Sequence, residues 1–499
     1  MLTRSFLDAE ESKDFLAYTP MMHARLFSET SSFRDHHFQA RKSGMRRPLP
    51  RDAYVADPYL DGNPSFDRPL VVQFCANSPE KLLEAGKHVQ VHCDAVDLNL
   101  GCPQGIARKG NYGAFLQENW KLVHDLIRTL HDNLDVPVTA KIRILETREQ
   151  TLDYAKMVLS AGASILTVHG RQRHQKGHET GLADWSVIRY LRDHLPAETV
   201  IFANGNIVRH EDLFACLEET GADGVMSAEG NLFDPSIFAK PPAVGQEGRE
   251  YWRGRNGHGG YRVDAVFRRY MDIIYRYVLE TSPPKRRPLF IPGDPMQSVQ
   301  EDVSQGHEQA PGEDEHPRPT KRMRREQKPA SPNILSMQAH LFRFLRVFVG
   351  VHVDVRVALG RTKSGDIKRF EEILQGVEQR VKHGLLDYES NPEKYDPPPL
   401  PTDFDNSSVT IRNEESSTAA VAACERPWWV CQSYIRPLMK EALRNGSITL
   451  SKKTMREMEE AGELAESTKP PNGKSAREQA DRLDGMPPAE MPKEATVCG

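Results

Sequence analysis

Short apolar runs alternate with helix-like segments through the first 240 residues of this 499-residue chain, and this alternation restricts its fold more than any other feature. Continuously apolar runs separated by single helices are typical of a parallel sheet covered on both faces. The runs predict strands over residues 17–21, 70–74, 95–100, 137–143, 165–169, 200–204 and 224–227. The intervening segments predict helices over 79–89, 113–130 (most clearly 120–130), 147–161, 185–194 and 211–219.

This pattern predicts an α/β fold, and at this spacing a (β/α)8 TIM barrel over residues 1–240. A closed barrel has eight strands, but only seven are predicted here, and residues 1–15 are polar. The first β-α unit is therefore expected to be missing, and an open doubly wound sheet is the structural alternative. Residues 29–68 are polar and rich in proline, for which we expect a lid or a surface excursion.

The second half of the chain divides by composition. Residues 261–280 have the apolar stripe of a helix, within a connecting segment at 241–280. Residues 334–390 are expected to form an all-helical domain, and residues 334–383 contain nine Lys and Arg against five Asp and Glu, a net charge of +4. The other expected segments are a disordered linker at 281–333, a Trp/Cys cluster with a terminal helix at 391–455, and a disordered tail at 456–499.

Charge, hydropathy and cysteine spacing limit the ligands, targeting signals and membrane segments that we expect. The net charge is −4, so any affinity for nucleic acid must be local. The clearest basic run, 321–328, has three interpretations: a nuclear signal, an RNA-contacting arm or a solvated charge run. No signal peptide or membrane span is expected. No metal site is expected either, since zinc-ligand spacing is absent among Cys75, Cys93, Cys102, Cys216, Cys424, Cys431 and Cys498.

Residues 97–105, with the sequence DLNLGCPQG, contain the most distinctive candidate for chemistry. They run from an apolar strand into a turn, which places the Cys102 thiol at the carboxyl end of a buried strand. Ligands of parallel α/β folds bind at that edge. Cys102 is therefore the candidate catalytic residue, although a Cys in a turn also serves as a small buried hydrophobic residue.

Several other predicted strands end in polar groups that a plain scaffold does not need. Any single polar strand end could be a buried polar group whose hydrogen bonds are satisfied. The carboxyl ends of successive parallel strands meet at one edge of the sheet, so polar groups at six strand ends in register favour a common site. Lys141 and Arg143 lie two residues apart and so point to one side of their strand. The polar strand ends are Gln73, Asn99, Lys141, Arg143, His169, the Asn204–Gly205–Asn206 turn and Ala228–Glu229.

The glycine-bearing turns after the last two predicted strands favour a phosphate. Barrels of this class bind phosphate there through backbone N–H groups, although Asn-Gly-Asn alone is also an ordinary turn. A phosphate with a Lys and a Gln nearby suggests flavin mononucleotide (FMN), with Lys141 against the electron-rich edge of the reduced ring.

Five motifs carry a resemblance to a known family: DLNLGCPQGIARKGNYGAFL, VTAKIR, LTVHGR, FANGNI and VMSAEGNL. The chain resembles the tRNA-dihydrouridine synthases, and most of all the eukaryotic branch that acts on positions 16 and 17 of the tRNA D-loop. The resemblance is dense over residues 15–240 and looser over 334–383 and the Trp-Cys-Gln cluster.

The resemblance implies an oxidoreductase that uses FMN and NADPH to reduce uridine to 5,6-dihydrouridine. In that family hydride goes to C6 of the uracil and a thiol, here Cys102, protonates C5. An ordinary thiol, with a pKa of about 8.5, is mostly protonated at neutral pH and can give that proton. Asn99 would orient the base or the flavin. The residues implied to hold FMN are Gln73, Lys141, His169, Asn204, Gly205, Asn206, Ala228 and Glu229.

The resemblance also implies tRNA as the partner, with the target base splayed out of its stack. The basic helices would contact the tRNA backbone, with Arg143 and Arg171 as further substrate-binding candidates. We expect a monomer in the cytoplasm, the nucleus or both. Two alternatives remain: an FMN reductase of a free pyrimidine, and a non-catalytic RNA-binding protein with a degenerate barrel.

One departure from the family lies at the start of the chain. Members open with a strand ending in Ala-Pro-Met, whose turn contacts the flavin, and no such segment precedes Ala17. This agrees with the missing first unit, and it leads to the expectation that the chain binds FMN poorly or folds badly.

Overall fold

A parallel sheet organises the first 240 residues. The computed structural model describes residues 1–41, 58–177, 180–295, 331–395 and 425–435. Neighbouring strands pair in the order β1-β3-β4-β5-β6-β7-β8, with β2 also on β3, and every pair is parallel. The strands are β1 (Ala17–Tyr18), β2 (Met22–His23), β3 (Leu70–Cys75), β4 (Ala95–Asn99), β5 (Val138–Arg143), β6 (Ile165–His169), β7 (Val200–Asn204) and β8 (Gly224–Met226).

The predicted strands are confirmed, most of them to within one residue at each end. The exception is the first, predicted over 17–21, which is divided into β1 and β2. Residues 1–16 form a 3-10 turn and a short helix without a strand, as expected. β1 and β2 both pair with β3 and share one strand position, so the described part of the barrel sheet has seven strand positions rather than eight. Within the described residues no pairing joins β8 to β1.

Helices cover the sheet, and side-chain caps explain where they begin. Ser78, Asn119, Thr147 and Asp184 each accept a hydrogen bond from a backbone N–H of the first turn. The prediction of one helix over 113–130 was wrong, because a 3-10 turn precedes the Asn119 cap. The helices are α1 (Glu11–Asp14), α2 (Ala24–Glu29), α3 (Ser31–His37), α4 (Pro79–Val89), α5 (Gly105–Gly110), α6 (Trp120–Asn133), α7 (Arg148–Ser160), α8 (Trp185–His194), α9 (His210–Thr220) and α10 (Glu229–Phe233).

A second unit follows the barrel and has its own hydrophobic core. It opens with a β-hairpin that sequence patterning missed, so the helix predicted from 261 begins two residues later. Its elements are β9 (Tyr251–Arg253), β10 (Gly259–Tyr261), α11 (Val263–Ile273), a π-helical turn (Ile274–Val278), α12 (Pro332–Phe344), α13 (Arg346–Val351), α14 (Val353–Arg361) and α15 (Ile367–Ser390). We call this the helical unit.

The Trp/Cys cluster packs against the helical unit. Trp429 is fully buried, and its ring lies 5.7 Å from that of Trp252 and 4.8 Å from that of Tyr395. Gly384 of α15 allows this approach, because a Cβ there would lie 2.7 Å from both Trp428 and Trp429.

The expected linker boundary at 281 was wrong. Arg286 bonds Glu371 of α15 at 2.7 Å, and Asp294 bonds Arg249 at 2.6 Å, so residues 281–295 pack on the helical unit. Helix α12 then starts at Pro332, two residues before the expected position. The polar stretch 29–68 is also partly helical, since α3 occupies Ser31–His37.

Several predicted features lie outside the described residues: the middle of the polar stretch (42–57), the basic run 321–328, the terminal helix and the tail 456–499. Among the helices that are described, none is long and apolar enough to cross a membrane.

Candidate active site

Strand register brings the predicted polar strand ends to one edge of the sheet. Lys141 of β5 is paired with Asn99 of β4 and with Thr167 of β6. One step further along, His169 of β6 is paired with Arg143 of β5 and Asn204 of β7. The side chains of Gln73, Asn99, Lys141, Arg143, His169 and Asn204 are all buried there.

The loop carrying Cys102 is held by two neighbouring side chains. Asn99 Oδ1 accepts hydrogen bonds from the N–H groups of Gly101 (3.1 Å) and Cys102 (2.9 Å). Arg143 Nε donates to the carbonyl oxygen of Gly101 at 2.7 Å. Cys102 itself is 1% exposed, so the thiol lies in an enclosed and fixed position.

Close backbone packing also shapes this loop. Gly113 has φ +65°, and a Cβ there would lie 2.8 Å from the carbonyl oxygen of Cys102. A second buried thiol, Cys75, lies in the same small cluster. Burial, and then the proximity of Cys102, raises the pKa of Cys75 to about 12.

Two buried residues of the site escaped the sequence analysis. Asp97 and Thr139 are both 0% exposed. Asp97 accepts hydrogen bonds from Gln73 Nε2 (2.8 Å) and from the Thr139 hydroxyl (2.6 Å). The available signal was an acid inside an apolar strand, two residues before Asn99 and therefore on the same face.

Burial and positive charge keep His169 neutral. Burial lowers the pKa of His169 well below its ordinary value, and Lys141, Arg143 and Arg171 lower it further. Arg171 donates to Nε2 of His169 at 3.1 Å. Because Nε2 accepts, the ring hydrogen is on Nδ1.

The turn after β7 requires glycine. Gly205 has φ +111°, and a Cβ there would lie 2.6 Å from the Cβ of Ala183. Trp185 Nε1 donates to the carbonyl oxygen of Gly205 at 3.0 Å. Asn206, with φ +63°, bonds both backbone groups of Ala183. These contacts hold the turn in place beside His169.

Among the described residues, Nδ1 of His169 and Oδ1 of Asn204 are buried at this edge without a hydrogen-bond partner. The orientation of the Asn204 amide is set by its Nδ2, which donates to the carbonyl oxygen of Met226 at 2.8 Å. An unpaired buried donor beside an unpaired buried acceptor needs an explanation. A ligand with both acceptor and donor oxygens would satisfy the two.

The predicted substrate-binding arginines bond protein groups. Arg143 reaches the carbonyl oxygen of Gln172 at 3.1 Å as well as Gly101. Arg171 donates to Asn206 Oδ1 (2.7 Å) and to the carbonyl oxygen of Gly181 (2.9 Å). Both side chains therefore hold loops of the site, and their contact with a substrate stays a prediction.

The turn after β8 packs on the turn after β7. Ser227 Oγ donates to the carbonyl oxygen of Ile207 at 3.0 Å, and a Cβ on Gly230 would lie 2.3 Å from the same oxygen. This brings the backbone of Ala228 and Glu229 next to the Asn204 turn. The Glu229 carboxylate itself lies 4.0 Å from Arg343 of α12, towards the helical unit.

The loop after β6 extends across the site to the Cys102 loop. Lys176 Nζ donates to the carbonyl oxygen of Pro103 at 3.1 Å, and Arg173 to that of Ala114 at 3.2 Å. Sequence patterning had no means of predicting these contacts, because they join loops about 60 to 70 residues apart.

Comparison with known proteins agrees with this site. Residues 3–254 match the family model described as dihydrouridine synthase (Dus). The chain belongs to the dihydrouridine synthase family. The resemblance inferred from the motifs is therefore confirmed, and so are an oxidoreductase activity class and the TIM-barrel fold class of the family.

Curated relatives of this dihydrouridine synthase extend the match into the helical unit. A protein of Saccharomyces cerevisiae named tRNA-dihydrouridine(16/17) synthase is 40% identical over 426 residues, covering 85% of this chain and 78% of the relative. Its namesake in Schizosaccharomyces pombe is 37% identical, covering 86% and 84%. A Mus musculus protein named as "like" the same enzyme is 44% identical over 237 residues, covering 47% and 45%.

Proposed function

We propose that this dihydrouridine synthase reduces uridine to 5,6-dihydrouridine in tRNA, at positions 16 and 17 of the D-loop, with FMN as its cofactor and NADPH as the reductant. The observation that carries the proposal is the meeting of Cys102, Lys141, His169 and the Asn204 turn at one edge of a parallel sheet. The positions are those in the names of the two yeast relatives, which also name NAD(P)(+) without distinguishing NADH from NADPH.

The residues at this edge suit FMN. The Nδ1–H of His169 is an unpaired donor for a phosphate oxygen, and Oδ1 of Asn204 is an unpaired acceptor for a hydroxyl. The glycine turn at Gly205 would bring backbone N–H groups to that phosphate. Gln73, Asn99 and Lys141 would hold the ring, with Asn206, Ala228 and Glu229 completing the phosphate side.

Bound FMN, once reduced by NADPH, would supply hydride to C6 of the uracil. The protein then has to deliver a proton to C5, and Cys102 Sγ is the group proposed to give it. Asn99 and Arg143 hold the thiol in place through the backbone of Gly101 and Cys102. Lys176, in the loop after β6, reaches the carbonyl oxygen of Pro103 and would help to exclude water.

The helical unit is proposed to bind the tRNA backbone. Its segment from α13 to α15, including the loop before α15, exposes six basic side chains, which would contact phosphates and make binding fall with salt. They are Arg346, Arg356, Arg361, Lys363, Lys368 and Arg369. The target uridine must leave its stack to reach an enclosed thiol, and a D-loop, with unpaired bases, lowers the energy needed for this.

The decisive experiment compares Cys102→Ala with Cys75→Ala. Both remove a buried thiol from the same cluster, but only Cys102 is proposed to transfer a proton. Each protein is loaded with FMN and given NADPH and unmodified tRNA, and dihydrouridine is counted by mass spectrometry. We expect Cys102→Ala to lose about 10²-fold or more in kcat, the order of a removed general acid, while its flavin is still reduced by NADPH. Cys75→Ala should keep its turnover.

The outcomes separate the alternatives. Equal turnover of wild type and Cys102→Ala would exclude Cys102 as the proton donor. Reduction of free uridine at the rate seen with tRNA would indicate a reductase of free pyrimidines. Binding of tRNA without FMN uptake would indicate a non-catalytic RNA-binding protein. The expected monomer and its cytoplasmic or nuclear location are tested by light scattering and by a fluorescent fusion.

A further inference from the structure

A chain of buried hydrogen bonds connects the Cys102 loop to a carboxylate. The N–H groups of Gly101 and Cys102 donate to Asn99 Oδ1. Asn99 Nδ2 donates to Gln73 Oε1 at 2.9 Å, and Gln73 Nε2 donates to Asp97 Oδ2 at 2.8 Å. Asp97 Oδ1 accepts from the Thr139 hydroxyl at 2.6 Å.

All hydrogen bonds between the Cys102 loop and Asp97 run in one direction, with each donor on the loop side of its acceptor. Both carboxylate oxygens of Asp97 accept hydrogen bonds, so Gln73 turns its NH₂ group towards Asp97 and its oxygen towards Asn99. Asn99 must then turn its NH₂ group towards Gln73 and its oxygen towards the loop. Each amide could rotate by 180° on steric grounds alone, because its oxygen and nitrogen are similar in size.

We propose that Asp97 is a positioning residue that sets this direction and thereby holds the Cys102 thiol in its working place. Its relevance to turnover rests on the proposed function, whereas its effect on the loop does not. Asp97 is two hydrogen-bonded residues away from the loop, so it acts through Gln73 and Asn99.

The surroundings of Asp97 favour this role. The carboxylate is 0% exposed, so water cannot satisfy it and it depends on its protein donors. Burial raises the pKa of Asp97, and the hydrogen bonds from Thr139 and Gln73 and the charge of Lys141 offset only part of that rise. Donor bonds to an ionised acceptor are stronger than neutral ones.

Replacing the carboxylate with an amide of the same shape should remove the direction. In Asp97→Asn the new NH₂ group can donate to Gln73, so this end of the hydrogen-bond chain no longer requires one orientation of Gln73 and Asn99. Only the N–H groups of Gly101 and Cys102 then still favour that orientation. A rotated Asn99 would present NH₂ to the N–H groups of Gly101 and Cys102 and would release the loop.

The test follows alkylation of each cysteine in the folded apo protein by iodoacetamide, with peptide mass spectrometry. In Asp97→Asn we expect the alkylation rate of Cys102 to rise about tenfold or more relative to wild type, because the loop loses hydrogen bonds at both N–H groups. The buried thiols of Cys93 and Cys216 lie away from this chain and should keep their rates. With FMN, kcat for tRNA should fall by about 10²-fold, as for a misplaced catalytic group, with KM for tRNA unchanged.

A double variant tests the direction itself. In Gln73→Glu/Asp97→Asn the carboxylate moves one position along the chain of hydrogen bonds. The new amide at position 97 can then donate to the new carboxylate at position 73, which can still accept from Asn99. We expect Cys102 to regain its wild-type alkylation rate, even if FMN binding weakens. The matched control, Thr139→Val, removes a donor to Asp97 but leaves the direction intact, so its Cys102 should stay protected.

Three results would overturn the inference: an unchanged Cys102 rate in Asp97→Asn, an equal rise at Cys93 and Cys216, or a double variant with Cys102 still exposed. The last result decides the matter if the single variant does not fold. Because alkylation needs neither FMN nor tRNA, these outcomes are independent of whether Cys102→Ala retains activity.

Discussion

The barrel site and the helical unit both bury charge, but they compensate it differently. In the barrel, the Asp97 carboxylate is bonded by neutral donors in a chain that leads to the reactive loop. In the helical unit, Asp264 is bonded directly by Arg262 at 2.6 and 3.0 Å, with the two side chains 1% and 2% exposed. The first arrangement transmits orientation, while the second closes on itself and fixes the start of α11.

The barrel site and the helical unit also differ in aromatic packing. Trp252, Tyr388, Tyr395, Trp428 and Trp429 form one cluster in the helical unit. The barrel edge instead leaves two polar atoms unpaired beside a glycine turn. The helical unit thus has a closed aromatic core, whereas the barrel edge has polar atoms that a ligand could pair.

The largest expected effect is in the aromatic cluster. Trp429→Ala should lower the free energy of unfolding of the helical unit by about 5 kcal/mol, at the upper end for a buried aromatic residue. Urea unfolding followed by circular dichroism measures the loss. Trp429→Phe is the matched control and should lose far less. A loss below about 1 kcal/mol in Trp429→Ala would show that the cluster is not a core.

Breaking the buried ion pair comes next. Asp264→Ala leaves Arg262 buried without its carboxylate and should cost about 3–5 kcal/mol. The double variant Arg262→Met/Asp264→Leu removes both charges and should be closer to wild type. If the double variant were the less stable of the two, the hydrogen bonds of Arg262 to the carbonyl oxygens of Arg249 and Phe290 would be the main contribution instead.

In the barrel, the glycine turn is the sensitive point. Gly205→Ala forces a Cβ into Ala183 at a positive φ and should destabilise the barrel by about 2 kcal/mol. It should also abolish FMN binding, measured by flavin fluorescence. Gly245→Ala is the control, because that residue also has a positive φ but no atom within 4 Å of its Cβ. Equal losses would assign the whole effect to backbone strain.

The smallest expected effect is a pH dependence from His169. Its pKa is lowered in the folded state, so the unfolded chain binds the proton first as pH falls below about 6.5. This contribution to stability is present above a pH of about 6.5 and decreases below it, by about 1 kcal/mol over the next pH unit.

The measurement is the difference between wild type and His169→Gln in the apo form, each unfolded in urea at a pH of about 7.5, 6.5 and 5.5, values that bracket the ordinary pKa of histidine. The difference is needed because burial raises the pKa of Asp61 and of Asp234 to about 6, which changes stability in the opposite direction over part of this range. A constant difference across the three pH values would contradict the neutral, buried state of His169.

Much of the barrel was predictable because the sequence signals for its strands and helices are local. A buried parallel strand needs a continuous apolar run, and a helix start needs a cap such as Thr147, so both can be recognised within a few residues. The candidate site followed from the rule that strand ends converge. Cys102, His169 and Asn204 were found in this way.

What escaped prediction depends on contacts between distant segments. The divided first strand, the packing of residues 281–295 and the contact between Lys176 and Pro103 have no local signature. The role of Asp97 was missed because an acid in an apolar strand can be understood only when its donors are known.

The sequence by itself determined the order of strands and helices, the family and the residue types available at the active edge, because periodicity, caps and motifs are written along the chain. Only the tertiary structure decided which polar atoms are satisfied and which remain for a ligand. The reason is geometric: a hydrogen bond depends on distances of about 3 Å and on the direction of its donor. Here both are set by residues from different strands.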